Sequence, residues 1–395
     1  MFIMRDRSSL LPPVSARPSA SGEVRRVLMT TRTSGGMWAY ARELSRALGR
    51  RGVAVTLATL GAPLTAAQWA EVRGLPGLSV EQSTWAAEGP GVAWEDLEAA
   101  GEWLLELEAR VRPDAVHLNG SCHGALPWRR RPLVVAHECA LSRWEAVQGE
   151  PAVESDVHYR WAVTRGLRAA GYVVAPTAAL LASLARHYGP LPPSCVISHA
   201  RHHEDFPPAP VREPFILATG RLWDEARNLE VLETVAPRLD WPVLVAGELQ
   251  HPDGGEVRAR YVRPLGRLSR GELAGYMGRA SIYVMPSRYE PFGPSALEAA
   301  LAGCALVLGD IPSLREVWDD AAVFVPPDDT DMLARALRRL VSEPVLCSRM
   351  STLARTRALE FSPERMADAY LAVYAELDRE SGVASPAQPQ LARAT

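Results

Sequence analysis

The chain contains no lysine; all 43 of its basic residues are arginine. A pyridoxal Schiff base and a P-loop both require a lysine, so both chemistries are excluded. Arginine does not deprotonate at working pH, and these cations are therefore fixed charges. Cysteine is scarce and scattered. Cys122, Cys139, Cys195, Cys304 and Cys347 form no Cys-x-x-Cys, so neither a disulfide framework nor a zinc ribbon is indicated. That usage fits a reducing cytoplasm, the location expected here. No run approaches the ~20 continuous apolar residues of a membrane span, so any membrane contact is expected to be peripheral at most. Net charge is only −3, which gives no reason to expect a nucleic-acid partner. Residues 1–21 carry Arg5, Arg7 and Arg17 among prolines and serines, without the apolar stretch of a signal peptide. They and residues 381–395 read as disordered tails.

What is present is an ordinary globular composition, 47% hydrophobic and 23% charged over 395 residues, enough for two domains. Apolar strand-like runs alternate with amphipathic stretches, twice over. The first round places strands near 24–30, 53–58, 115–118, 133–136, 172–175 and 195–198, with helices near 37–50, 95–111, 159–170 and 178–188. The second places strands near 215–219, 243–246, 282–285, 305–308 and 322–325, with helices near 229–239, 269–277, 295–302 and 330–340. Alternation with short loops predicts parallel sheets covered on both faces, an α/β fold of two Rossmann-like domains facing a cleft. The break at 199–212, rich in His, Pro and charge, reads as the interdomain linker. The domains are thus expected at 22–205 and 206–362. A last helix at 363–380 carries Met366, Tyr370, Val373 and Leu377 on one stripe.

The densest chemistry lies in Ser287-Arg-Tyr-Glu-Pro-Phe-Gly-Pro-Ser-Ala-Leu-Glu298. A buried strand precedes it and a helix follows. Glu290 therefore falls in the loop at a strand's carboxyl end and Glu298 in the first turn of the next helix. Ligands bind in that crevice of an open α/β sheet. Free N–H groups and the positive helix terminus suit a phosphate, and a carboxylate one turn on can accept ribose hydroxyls. The residues alone thus point to a sugar nucleotide. Glu298→Gln is expected to weaken that binding while leaving the fold intact.

With these residues the chain resembles retaining glycosyltransferases of family 4, which have the GT-B fold; the likeness covers about residues 24–380. It implies that Glu290 lies beside the donor sugar, that Glu298 binds the ribose, and that Phe292, Gly293, Pro294 and Ser295 face the diphosphate and sugar. Thr219-Gly-Arg-Leu-Trp-Asp-Glu-Ala-Arg-Asn228 is similar to the family's Gly-Arg-Leu…Lys loop. Arg221 matches the family arginine, and Arg227 stands at the lysine position, one residue later than the usual spacing. Gly35 and Gly36 resemble the family's glycine loop, and His137 a histidine lying over the donor sugar. Ser198-His-Ala-Arg-His-His203 departs from the Pro-Asn-Gly that relatives carry. The resemblance implies catalytic roles for Glu290, His137 and Arg221. It also implies a donor side in the second domain, an acceptor side in the first, and no obligatory metal or cofactor beyond the nucleotide-sugar co-substrate. The acceptor is left open among a sugar, a lipid-linked glycan and a small molecule. A GT-B epimerase and a transfer-dead binding protein are the alternative readings.

Two other clusters invite function and receive plainer readings. His199, His202, His203, Glu204 and Asp205 are ligand types, but their spacing matches no zinc pattern. Trp128-Arg-Arg-Arg131 could touch an anionic membrane; a solvated loop before a strand is the simpler expectation. Asp310 and Glu316 read as surface or structural.

Overall fold

A computed structural model describes residues 24–151, 157–221, 223–248 and 259–383. The expected tail at 1–21 lies outside the described residues; of the one expected at 381–395, residues 381–383 belong to the last helix and 384–395 lie outside the described residues. Among these residues two sheets form, both parallel throughout. The first comprises β1 (Arg26–Arg32), β2 (Ala54–Leu60), β3 (Leu78–Gln82), β4 (Ala115–Leu118), β5 (Leu133–Val135), β6 (Tyr172–Ala175) and β7 (Ser194–Val196), in the order 3-2-1-4-5-6-7. The second comprises β8 (Glu213–Thr219), β9 (Val243–Ala246), β10 (Arg263–Gly266), β11 (Ala280–Met285), β12 (Ala305–Gly309) and β13 (Val323–Val325), in the order 10-9-8-11-12-13. Helices cover both faces, so the central strands are buried on both sides and read as apolar runs rather than alternations. In β1, Val27 pairs with Val55 on one side and Ala115 on the other; in β8, Ile216 pairs with Val243 and Ile282. Strand order reverses between β1 and β4 and again between β8 and β11. Those are the switch points where crevices open at the carboxyl edge.

Several expectations are corrected. The helix expected near 37–50 begins earlier, with Gly35 and Gly36 as its first two residues (Gly35–Gly49), and glycine suits the φ of +71° at Gly35. The helix expected over 229–239 is one turn, Val231–Val235, followed by the 3-10 turn Ala236–Arg238, because Pro237 cannot continue an α-helix. Glu298 is the fifth residue of helix Pro294–Leu301, so it lies in the second turn rather than the first. Strands β3 and β10 carried no sequence signal. Both are edge strands with exposed or half-exposed side chains.

The last helix runs Pro363–Val383, three residues beyond its expected end. It lies in the first domain's core: Met366, Ala367, Tyr370, Val373, Tyr374 and Leu377 pack with Tyr40, Leu44 and Leu48 of helix Gly35–Gly49. The spacing 366, 370, 373, 377 is the single buried face of a helix. Arg51 fastens it through Asp368 (2.6 Å), and Arg130 pairs with Asp378. The Trp128–Arg131 run is therefore tied into the fold, with Trp128 Nε1 donating to the His123 carbonyl at 2.8 Å.

Tyr370 is fully buried at this junction. Tyr370→Ala should cost about 3–5 kcal/mol, as for other large aromatic truncations in cores. Urea denaturation reads this directly, and a loss below about 1 kcal/mol would place the helix outside the cooperative core.

Candidate active site

The second domain's crevice is built from the loop after β8 and the loop after β11. Beyond Met285 the chain turns through residues 286–293 and enters helix Pro294–Leu301 at Gly293, whose φ of +84° requires glycine. Glu290 sits in that turn, 6% exposed. One carboxylate oxygen accepts the N–H of Gly293 at 3.0 Å and that of Phe292 at 3.4 Å; the other is paired with Arg227 Nη1. A buried carboxylate needs partners, and Glu290 has them on both sides. The same pairing raises the Arg227 guanidinium, Glu290 being the largest cause, against its desolvation. The β8 loop is held over this turn by Asn228, which adopts φ +54° and donates to the carbonyls of Pro286 (3.0 Å) and Pro327 (2.7 Å). Arg227 and Glu290 are thus brought together by backbone geometry that only long-range folding supplies.

Arg221 lies elsewhere in the same loop. Its side chain is 53% exposed, stacks on Trp223 (4.8 Å) and pairs with Asp224 at 3.0 Å. Asp224 is buried and also binds Arg143 of the first domain at 2.6 Å. Burial alone would raise the Asp224 carboxyl; the Arg143 and Arg221 charges outweigh it and leave it lowered.

The linker supplies a residue that sequence reasoning missed. Arg201, 3% exposed, donates from Nε to Glu298 Oε1 at 2.7 Å. Its position within Ser198–His203, where the chain departs from the familiar pattern, was the one available signal. The pair gives Glu298 a structural partner beside its expected ligand role, because Glu298 balances a buried cation.

The first domain contributes a histidine junction beneath this crevice. Asn119, just past β4, donates from Nδ2 to the Thr30 carbonyl at 2.7 Å, which turns Oδ1 toward two imidazoles. His137 Nε2 lies 2.8 Å from that oxygen and His117 Nε2 3.2 Å. An amide oxygen only accepts, so both rings carry their proton on Nε2. His137 Nδ1 is then an acceptor, facing His199 Nε2 at 3.2 Å, and His117 Nδ1 accepts from Tyr374 OH at 2.6 Å. Burial lowers all three histidines. His117 falls to about 3, with Asn119 opposing, and His199 to about 3, with Arg201 adding; His137 lies well below its usual value, with His199 adding. His137 therefore has both ring nitrogens engaged. Its ring packs edge-on against Tyr40 at 4.7 Å, and His199 packs against Phe292 of the second domain at 5.1 Å.

Further contacts close the two domains on each other. Cys139 N–H donates to Tyr289 OH (2.7 Å), and Thr177 Oγ1 donates to the Pro291 carbonyl (3.0 Å). Glu316 accepts the N–H groups of Ala178 and Ala179 at 2.7 and 2.9 Å, capping a first-domain helix from the second. At the first sheet's switch point a cavity opens among Thr30, Thr31, Met37, Glu88, Asn119 and Gly120. Gly35 and Gly36 are exposed at the same carboxyl edge. Among the described residues no group of three or more His, Cys, Asp or Glu is arranged to hold a metal ion, and His199 and His202 serve different neighbours.

Comparison with known proteins gives consistent matches. The model described as Glycosyltransferase Family 4 matches residues 34–204, and that described as Glycosyl transferases group 1 matches residues 213–343. A glycogen synthase of Mycobacterium tuberculosis is 38% identical over 135 residues, 33% of this chain and 32% of that protein, so the match spans about a third of that relative's length. A D-inositol 3-phosphate glycosyltransferase of Streptomyces bingchenggensis is 28% identical over 402 residues, 88% of this chain and 86% of that one. Among solved structures, sucrose-phosphate synthase from Thermosynechococcus elongatus superposes with a TM-score of 0.75 at 19% identity, covering 91% of this chain and all of that one. Anabaena HepE in complex with UDP-glucose gives 0.66 at 15% identity, covering 91% and 99%.

Two predictions follow from the site's electrostatics. Arg201→Met should destabilise the fold by about 3 kcal/mol or more, because Glu298 is left without its counter-charge. Arg201→Met/Glu298→Leu should recover much of that loss, and strict additivity of the two single changes would show the pair to be uncoupled. The second concerns pH. His117 and His199 are held below their unfolded value near 6.5, so their stabilising contribution is present above that pH and lost as pH falls toward 3. Each should cost about 1.4 kcal/mol per pH unit below 6.5. A midpoint temperature unchanged between pH 7 and pH 5 would mean that the folded state binds these protons.

Proposed function

The chain belongs to the family 4, group 1 glycosyltransferases of GT-B fold, and on that premise we propose that it transfers a sugar from a nucleoside diphosphate to an acceptor hydroxyl with retention at the anomeric carbon. The observation that carries this reading is the pair Glu290 and Glu298, held by Arg227 and Arg201 at the carboxyl edge of β11. Glu298 faces the ribose and Glu290 the sugar. Phe292, Gly293, Pro294 and Ser295 line the diphosphate at the helix terminus, where backbone dipoles favour anions. One relative is named a D-inositol 3-phosphate glycosyltransferase and one structural neighbour is a complex with UDP-glucose; uridine diphosphate sugars are therefore the first donors to try.

In the reaction, the acceptor oxygen forms a bond to the anomeric carbon as the bond to the diphosphate oxygen breaks. The acceptor's proton passes to that departing oxygen on the same face of the sugar. No protein nucleophile or metal is needed, and the protein's part is positioning and charge stabilisation. Arg221 and Arg227 offset charge developing on the diphosphate. His137, with both nitrogens committed, shapes the wall against the sugar rather than moving a proton. Gly35 and Gly36 let the first domain's backbone approach the reacting groups.

Released nucleotide is measured against a panel of nucleotide sugars and hydroxyl acceptors, with proton NMR reading the configuration of new glycosides. The expected result is acceptor-dependent release with the donor's configuration kept. An inverted product, or an epimerised donor without transfer, would refute the reading. Arg221→Ala should lower turnover ~100-fold, the scale of one lost preorganised stabiliser. Its exposed side chain means the melting temperature should hardly move, and near-normal turnover at saturating donor would remove Arg221 from the site.

A further inference from the structure

The first domain's cavity has a chemical character that narrows the acceptor. Its polar wall is made of neutral groups: the Thr30 and Thr31 hydroxyls, the first of which accepts the Asn119 N–H at 2.9 Å, and the Asn119 amide, whose two ends are held by the Thr30 carbonyl and the His117 and His137 rings. Two charged side chains and one histidine line it. Arg32 is engaged by Glu138 at 3.2 Å, and His123 Nε2 is bonded to the Leu97 carbonyl at 3.0 Å. Glu88 presents a carboxylate whose oxygens accept the N–H groups of Ser121 and Cys122, both at 2.7 Å. The carboxylate fills space that Gly120 leaves open; a Cβ there would lie 2.6 Å from its carboxyl carbon. The N–H groups that could have greeted an anion are therefore already occupied by one. An anionic acceptor entering here meets Glu88, with the one lining guanidinium already paired.

A second cavity lies past β2 and β3, with Pro63 and Trp85 in its lining close along the chain to Leu60 and Ala87 of the first. Pro63, Trp85 and Trp103 form its apolar walls, and Gln82, Ser83 and Thr84 its polar ones. The bond from Gly61 N–H to the Trp85 carbonyl, 2.7 Å, ties together the two loops between the cavities. Trp85 is 39% exposed, although indole is usually covered in a folded protein. An open indole beside hydroxyl and amide side chains suits a pyranose, whose C–H face stacks on the ring while its edge hydroxyls hydrogen-bond.

Resting on the transferase reading above, we propose that the acceptor is an uncharged saccharide of two or more rings. Its terminal hydroxyl lies in the Thr30–Asn119 cavity and its next ring lies in the Trp85–Trp103 trough. Glu88 is the residue that selects against phosphorylated acceptors.

Tryptophan fluorescence of the full chain, with uridine diphosphate present, is titrated with glucose, maltose and maltotriose as neutral probes and glucose 6-phosphate as the anionic one. The disaccharide should bind about tenfold more tightly than the monosaccharide, the scale of one aromatic contact, and glucose 6-phosphate more weakly than glucose. Trp85→Ala should erase the disaccharide advantage and Trp85→Phe keep most of it; Glu88→Gln should narrow the gap between glucose and its phosphate. Tighter binding of the phosphate, equal binding of one and two rings, or no saccharide binding would each overturn the proposal. Nucleotide release from the donor panel is followed in the same preparation. Donor consumption without these saccharide preferences sinks the acceptor assignment alone, whereas absence of both nucleotide binding and donor consumption removes the transferase reading with it.

Discussion

A carboxylate withdrawn from water must be neutralised where it lies, and the second domain's crevice is organised by that requirement. Glu290 is shared between backbone N–H groups and Arg227, and Glu298 is fixed by Arg201. Each arginine comes from a different part of the chain, one from the loop after β8 and one from the interdomain linker. The two pairs therefore join three segments that have no local reason to meet. Breaking either pair leaves a charge without its partner, which makes the crevice's geometry and folding stability two readings of one arrangement.

The same economy governs the first domain's side. One amide, Asn119, is oriented by the Thr30 carbonyl and thereby sets the protonation of His117 and His137. Tyr374 completes the chain from the terminal helix, and His199 from the linker. Every segment that connects the domains thus ends in a hydrogen bond or ring contact at this junction. Buried neutral imidazoles suit the place, since a proton there would add charge to a site already holding Arg201.

Much of the architecture was legible because parallel central strands are buried on both faces. Runs such as Ile282–Met285 and Val243–Ala246 are apolar without alternation and stand out from their flanks. Edge strands β3 and β10 lack that burial and left no such run, and Pro237 shortened a helix that periodicity alone extended. The Glu290–Glu298 element was legible because its strand, glycine turn and helix are contiguous. Arg201, Asn119, Tyr374 and Glu88 were not, since each acquires meaning only through a partner that is distant in sequence or fixed by the loop's fold. The linker's unusual residues marked a departure, and it took the fold to show that His199, Arg201 and His202 are buried.

The central claim is that the nucleotide lies at the carboxyl edge of the second sheet, between the β8 loop and helix Pro294–Leu301. Hydrogen exchange with and without uridine diphosphate tests it most directly. The account predicts slowed exchange confined chiefly to peptides spanning 219–229 and 288–298. Saturating nucleotide that leaves both segments unchanged, or protects only the first domain's strands, would contradict it.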